Sequence, residues 1–249
     1  MGELDGETVV VTGASRGLGR SMSLRFAREG ANVALLARGR ADLEAVAAEA
    51  DGEALVVPTD VTDGEEVQRA VDATLDAYGE LTCLVNNAGI GQLTLHDELR
   101  ETVDVEEADW RAILDVNLTG VFLCAKHALP PMLEAGRGSV INVSSGLGRR
   151  ALPGWGPYVT SKWGLEGFTR TLAMEYEGTV TVNGLDPGGR VETAFWDHLS
   201  DEEREDVLSA DVMDDAAVLL AAQPPDGVTG ESLPAEEWEE RLGRANGTG

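Results

Sequence analysis

The chain has 249 residues, enough for one large α/β domain with a sizeable buried core. It carries 45 acidic against 19 basic residues, a formal net charge of −26, which excludes the basic footprint that nucleic-acid binding needs. No uninterrupted apolar run reaches the about 20 residues of a membrane span, and the acidic, polar start Met1-Gly2-Glu3-Leu4-Asp5 is not a secretory leader, so a soluble cytoplasmic protein that binds no membrane is expected.

Only two of the basic residues are lysines, Lys126 and Lys162. So acidic a chain repels itself in dilute buffer. At about 1 M salt the Debye length falls to about 3 Å and the repulsion is screened. Acid excess with lysine nearly absent points to an extreme halophile with a salt-filled cytoplasm. Cys83 and Cys124 lie in apolar stretches at a spacing that offers neither a metal site nor a disulfide framework, so both read as buried free thiols. His96, His127 and His198 do not cluster, and no metal is expected.

In chain order, short β-branched runs alternate with amphipathic helical stretches. A strand predicted at 8–12 runs into Thr12-Gly13-Ala14-Ser15-Arg16-Gly17-Leu18-Gly19. Glycines there let the backbone turn sharply and approach a pyrophosphate, and a helix at 17–29 offers that anion its N-terminal amides. A strand at 32–37, a helix at 41–50, a strand at 54–58, a helix at 64–78 and a strand at 82–86 follow. The long helix predicted at 106–134 contains Asn117, a residue of poor helix propensity at mid-helix. A strand at 139–144 ends in Ser144-Ser145, on the carboxyl edge where open sheets bind ligands. In the helix predicted at 157–176, Tyr158 and Lys162 lie one turn apart on one face. A nearby ammonium favours the phenolate, which makes the phenol usable as a proton donor and acceptor. A strand at 180–185 and a helix at 201–222 complete the pattern, and the small, polar tail 243–249 is expected to fray. Several strands are apolar throughout, as when both sheet faces are covered. The alternation argues an α/β fold, a Rossmann-type doubly wound parallel sheet flanked by helices in three layers, forming a single domain over 1–249.

The G-x-x-x-G-x-G spacing, together with Asn86-Asn87-Ala88-Gly89, Ser144-Ser145 and Tyr158-x-x-x-Lys162, resembles the compact, single-domain branch of the short-chain dehydrogenase/reductase family. The resemblance runs from the first strand to about Pro187 and more loosely beyond. It implies an NAD(P)-dependent oxidoreductase that interconverts a carbonyl and a secondary alcohol. Carried over by position, the catalytic residues are Asn117, Ser145, Tyr158 and Lys162. Ser145 is preferred to Ser144 because it lies thirteen residues before Tyr158, the family's usual interval. In the implied mechanism Ser145 hydrogen-bonds the substrate carbonyl and Tyr158 is the general acid or base. Lys162 lowers the phenol pKa and holds the nicotinamide ribose. Asn117, at a helix irregularity, links Lys162 to solvent through a water.

The resemblance also implies cofactor contacts. Gly13, Ser15, Arg16, Gly17, Leu18 and Gly19 would take the pyrophosphate end, and Asp60 and Val61 the adenine. Asn87, Ala88 and Gly89 would line the adenosine ribose. Tyr158, Lys162, Pro187, Gly188, Val191 and Thr193 would meet the nicotinamide half. The interval from Pro187 to Val191 and Thr193 is one residue longer than the family's. NAD enzymes of this fold end the second strand with an acid that holds the ribose hydroxyls. Here Ala37 supplies none, Arg38 follows and Arg16 stands in the glycine turn. Two guanidiniums near one ribose suit a 2′-phosphate, so NADP(H) is expected. NAD(H) stays open, because Asp42 could reach back to the ribose.

The stretch 193–210 is the expected lid, with Leu147, Trp155, Phe195 and Trp196 as pocket walls. A 3-oxoacyl thioester or another small ketone is the implied substrate, and Arg149-Arg150 near the mouth could meet a charged one. The family's last strand is expected to be short or absent. The long helices around 110–130 and 157–175 are expected to form a homodimer or homotetramer. A non-catalytic NADP(H)-sensing or scaffold protein on the same fold is the rival reading.

Overall fold

The computed structural model describes residues 2–52, 54–96, 98–191 and 207–246, with side chains as far as Gly243. Strand β1 (Thr8–Thr12) is buried along its whole length, as its unbroken apolar run requires. Then come α1 (Gly17–Arg28), β2 (Asn32–Ala37), α2 (Arg40–Glu49), β3 (Ala54–Pro58), α3 (Gly64–Tyr78) and β4 (Cys83–Asn86). After the single turn α4 (Gln92–Leu95), one continuous helical stretch contains α5 (Glu107–Leu114), a π-helical turn at Asp115–Thr119 and α6 (Gly120–Ala135). Strand β5 (Gly138–Val143), helix α7 (Gly156–Glu175) and strand β6 (Val180–Asp186) follow. The remaining elements are β7 (Arg190–Val191), β8 (Val207–Leu208), α8 (Asp214–Ala221), β9 (Ser232–Pro234) and α9 (Ala235–Asn246).

The main sheet is parallel throughout, in the order β3-β2-β1-β4-β5-β6-β9. Strand order reverses between β1 and β4, which opens a crevice at the carboxyl edge there. Helices cover both faces. One core layer joins Met22 and Phe26 of α1, Leu43 and Val46 of α2, Leu220 of α8 and Trp238 of α9. The other joins Val67 and Val71 of α3, Cys124, Leu129 and Met132 of α6, and Leu172 of α7. The doubly wound, three-layer α/β architecture read from the alternation is the observed one.

The continuous helix Glu107–Ala135 is long and apolar enough to cross a membrane by length and composition. Its apolar content has a different use here, because Val121, Cys124, Ala125, Ala128, Leu129 and Met132 are buried against the sheet and α3. Burial also pushes the Cys83 and Cys124 thiols up, which keeps them protonated and unreactive.

The C-terminal third departs from the sequence expectation. The helix predicted at 201–222 is replaced, in its described part, by β8, which pairs with β7, and by α8, which starts only at Asp214. The acids Asp214 and Asp215 suit the first turn of a helix, where the dipole favours negative charge. The short closing strand exists as β9, three residues beside β6. The tail expected to fray from 243 continues in α9 as far as Asn246. Helix α9 is held by Trp238, which is 0% exposed and donates from Nε1 to Gly184 O at 2.9 Å. Trp238→Ala is expected to destabilise the fold by about 3–5 kcal/mol, measured as a lower unfolding midpoint at constant salt.

Candidate active site

The glycine turn is shaped by what it must clear. A Cβ on Gly13 would lie 2.8 Å from Asn87 Nδ2 and 2.9 Å from Ala88 Cα. One on Gly19 would run into Gly13 O and Asn87 Nδ2. Gly13 and Gly17 also hold φ of +66° and +53°, a region that disfavours side chains. Asn87 Nδ2 donates to Thr12 O at 2.9 Å and Gly13 O at 3.2 Å, and the amides of Asn87 and Ala88 both donate to Thr12 Oγ1 at 3.0 Å. The ends of β1 and β4 are thus tied side by side, and α1 begins just beyond them with no side-chain cap on its first amides. Ser15 and Leu18 lie in the same turn, half-buried, and Arg16 is exposed just before α1. A tight cradle at a helix N-terminus fits a dinucleotide pyrophosphate.

The other expected cofactor residues follow along the same sheet edge. Arg38, exposed, follows β2. Asp60 follows β3, and its carboxyl is held below the usual range by the Thr62 amide, against burial, with help from the Thr62 hydroxyl and the Arg38 guanidinium. Val61 is 8% exposed and packs on Gly120. Asp42 lies in the first turn of α2, its Oδ2 folded back over Gly39. Gly89 follows β4, beside Asn117 and Lys162. Pro187 and Gly188 follow β6, and the Gly188 amide donates to Asp186 Oδ1 at 2.9 Å. Val191 is buried in β7. Thr193, the greater part of the expected lid, Phe195 and Trp196 lie outside the described residues.

Tyr158, Lys162, Ser145 and Asn117 converge. The Ser145 hydroxyl lies beside the Tyr158 phenol and favours its ionised form, and it also accepts from the Leu147 amide at 3.2 Å. The Ser144 hydroxyl instead donates to Glu166. Lys162 Nζ lies 5.7 Å from the Tyr158 ring centroid and donates to Val143 O at 2.7 Å. Asn117 occupies the π-helical turn, fully buried. Its Nδ2 donates to Ile90 O at 2.8 Å and Ser161 Oγ at 3.1 Å, and its Oδ1 accepts from the Ile90 amide at 2.8 Å. The widened turn and these bonds explain how a poor helix former is tolerated there. Trp155 packs edge-on against the Tyr158 ring, with Leu93, Leu147 and Val159 completing an apolar wall.

The charges differ from the simple expectation of a lysine that acidifies the phenol. Tyr158 keeps part of its surface open, yet burial of the rest pushes the phenol up to about 12, with the Ser145 bond opposing and Asp186 adding to the rise. Burial pulls the Lys162 ammonium down to about 8, and Glu166 acts against that fall. Desolvation is therefore the largest influence on both groups.

Arg149, read from sequence as free to meet a charged substrate, is committed to the protein. Its guanidinium pairs with Asp186 Oδ2 and, at 3.0 Å, with both Glu166 Oε1 and Ser232 Oγ. Glu166 and Asp186, at 6% and 2% exposed, were missed by sequence reasoning. The signal for Glu166 was available, since it extends the Tyr158 and Lys162 spacing by one more helical turn.

Residues 7–204 match the sequence profile of the family described as short chain dehydrogenase. The chain belongs to the short-chain dehydrogenase/reductase family. This short-chain dehydrogenase/reductase is 37% identical over 210 residues to a 3-oxoacyl-(acyl-carrier-protein) reductase of Thermotoga maritima, covering 83% of this chain and 82% of that one. A Synechocystis protein of the same description is 39% identical over 193 residues, 76% of each chain. Among solved structures, a carveol dehydrogenase from Mycobacterium avium in complex with NAD superposes with a TM-score of 0.85 at 28% identity, covering 94% of this chain and 97% of that one. A short-chain alcohol dehydrogenase from Sinorhizobium meliloti gives 0.84 at 33% identity, covering 93% and 95%. The protein is an NAD(P)-dependent short-chain dehydrogenase/reductase enzyme.

Proposed function

We propose that the chain is an NADP(H)-dependent ketoreductase, interconverting a carbonyl and a secondary alcohol with Tyr158 as general acid and base. The observation that carries this reading is the convergence of the Tyr158 phenol, the Ser145 hydroxyl and the Lys162 ammonium beside a glycine cradle on one sheet edge. Gly13 to Gly19, Asp60, Val61 and Asn87 to Gly89 would hold the adenosine and pyrophosphate part of the cofactor. Lys162 and the turn at Pro187 and Gly188 would face its nicotinamide half, and Val191 and Thr193 belong to the same proposed set. When bound, the nicotinamide supplies or accepts the hydride.

The protein's residues do the rest. Ser145 donates to the carbonyl oxygen and fixes its position. Tyr158, a protonated phenol at neutral pH, delivers its proton to the alkoxide as it forms. Lys162 binds ribose and stabilises the phenolate left behind. Asn117 shapes the π-helical turn beside Gly89 and Lys162 and leads the replacement proton inward through a water. Leu93, Leu147 and Trp155 exclude water from one side of the phenol. Leu95, Leu99 and Leu152, in the same two segments of chain as the wall, are exposed, and Leu99 touches the turn at Gly154.

That wall suits an aliphatic body, and relatives described as 3-oxoacyl reductases support a 3-oxoacyl-thioester-like ketone or another small ketone as substrate. Ala37 without a carboxylate, with exposed Arg38 after it and exposed Arg16 in the glycine turn, favours NADP(H) over NAD(H). Phe122 and Trp163, about half exposed on α6 and α7, and Met174, 80% exposed on α7, support a homodimer or homotetramer through these helices. The net charge of −26 supports a salt-requiring, halophilic cytoplasmic enzyme.

The deciding experiment is a carbonyl panel, including 3-oxoacyl thioesters, assayed with NADPH and NADH in molar KCl. Turnover with a several-fold preference for NADPH is expected, together with a falling melting temperature on dialysis to low salt. Tight NADPH binding with no turnover of any carbonyl would favour the scaffold reading instead.

A further inference from the structure

Helix α7 places Tyr158, Lys162 and Glu166 at successive turns of one face. Lys162 and Glu166 are only 5% and 6% exposed. Two buried ionisable groups one turn apart are costly unless each serves the other or a third group. Three donors converge on Glu166 Oε1: the Ser144 hydroxyl, the Arg149 guanidinium at 3.0 Å and the Ser232 hydroxyl at 2.8 Å. A guanidinium and two hydroxyls on one oxygen suit a carboxylate anion. Glu166 Oε2 is buried with no hydrogen-bond donor. One oxygen therefore anchors the carboxylate, and the Arg149 guanidinium that meets it is shared with Asp186, so two carboxylates face one guanidinium.

We propose that Glu166 is a positioning residue, the buried counter-charge that keeps Lys162 an ammonium, held in place by an Arg149 clamp that also grips Asp186. The inference rests on the ketoreductase reading for its consequence in turnover but not for its geometry. The clamp spans four elements. Arg149 ends the Gly146–Gly148 turn after Ser145, Glu166 lies on α7, Asp186 ends β6 and Ser232 begins β9. Asp186 Oδ1 in turn takes the Gly188 amide. One guanidinium thus couples the lysine's counter-charge to the turn that would face the nicotinamide. No side chain is tolerated on Gly148 without crowding this junction, since a Cβ there would lie 3.1 Å from both Glu166 Oε1 and Ser144 Oγ.

The other charges near α7 are occupied elsewhere. On α5, Asp109 pairs with His96 and Arg111 with Glu107. Asp115 of the π-helical turn is exposed, and β5 carries no ionisable side chain. Glu166 acts on the Lys162 ammonium and Asp186 on the Tyr158 phenol, and Arg149 joins the two carboxylates.

Because the chain has only Lys126 and Lys162, the ammonium can be read directly. Protein made with 13C-labelled lysine is titrated by NMR in molar KCl, with Lys126→Arg to assign the two signals. The Lys162 midpoint is expected near the value of about 8 that its burial sets. Glu166→Gln should lower it by roughly one unit or more, and Glu166→Asp should recover part of the shift. Arg149→Gln removes a positive charge and should move the midpoint upward. Glu166→Asp, which keeps the charge but draws it back by one methylene, decides the matter if Glu166→Gln fails to fold: a lysine midpoint unmoved from the parent protein would then overturn the inference. In turnover, the alkaline limb of kcat/KM for ketone reduction should move down in Glu166→Gln, whereas a merely structural role would scale the profile without moving it. An unmoved lysine midpoint in a folded variant overturns the inference while leaving the ketoreductase reading intact. Shifted midpoints without turnover of any carbonyl would sustain the counter-charge and overturn the ketoreductase reading alone.

Discussion

Tyr158→Phe should lower kcat for ketone reduction by about 10²–10⁴-fold, the usual worth of a positioned proton donor, while NADPH still binds. The substitution removes one oxygen and leaves the ring against Trp155, so the apolar wall survives. The direction of the pH dependence follows from the same geometry. Burial pushes the phenol up to about 12, so it is protonated across the neutral range and ready to act as an acid. Reduction should therefore run on a plateau at neutral pH, and alcohol oxidation, which needs the phenolate, should rise with pH. Steady-state rates of both directions, with NADPH binding followed by fluorescence, check both points. Retained turnover in Tyr158→Phe would remove the phenol from the mechanism.

Gly19→Ala should impair the cofactor end, as Tyr158→Phe impairs the chemistry, with a smaller effect. The new methyl group would meet Gly13 O and Asn87 Nδ2, both fixed by the bonds that join β1 to β4. Forcing a group into so tight a space costs about 1–3 kcal/mol. If the turn moves to relieve it, that energy appears as about 5- to 150-fold weaker NADPH binding. Gly167→Ala provides the control, because a Cβ there meets nothing within 4 Å. It should leave binding unchanged and raise helix stability by up to about 1 kcal/mol. Calorimetric titration of both variants with NADPH measures the contrast. Equal affinities would mean that the turn is more pliant than its packing indicates.

The alternation of apolar runs and amphipathic stretches was enough to read the parallel sheet, because both follow directly from burial. The glycine turn and the Tyr158 and Lys162 spacing were legible for a similar reason, since local geometry alone brings those groups together. What escaped the sequence depends on partners far along the chain. Arg149 looked like a free cation because nothing local marks Asp186 and Ser232 as its neighbours. The stretch 207–222 mixes acids with Val and Leu and fits a helix as well as a strand, and only pairing with β7 decides for β8. Helix α9 was hidden by a tail rich in small and charged residues, and its anchor is a single tryptophan. The strength of the charge pair was misjudged for another reason: spacing reports that two groups can meet, whereas the cost of drying them depends on everything packed around them.

The bonds from Asn87 and Ala88 to Thr12 and Gly13 join positions about 75 residues apart in the chain. Loops of that length must close before either strand gains anything from the other, which makes sheets of this topology slow to assemble. A refolding intermediate could hold α1, α3 and α6 with near-native helicity and still have no cradle. Cofactor affinity in this protein is therefore a late reporter of assembly, and helical signal regained on refolding should run ahead of it.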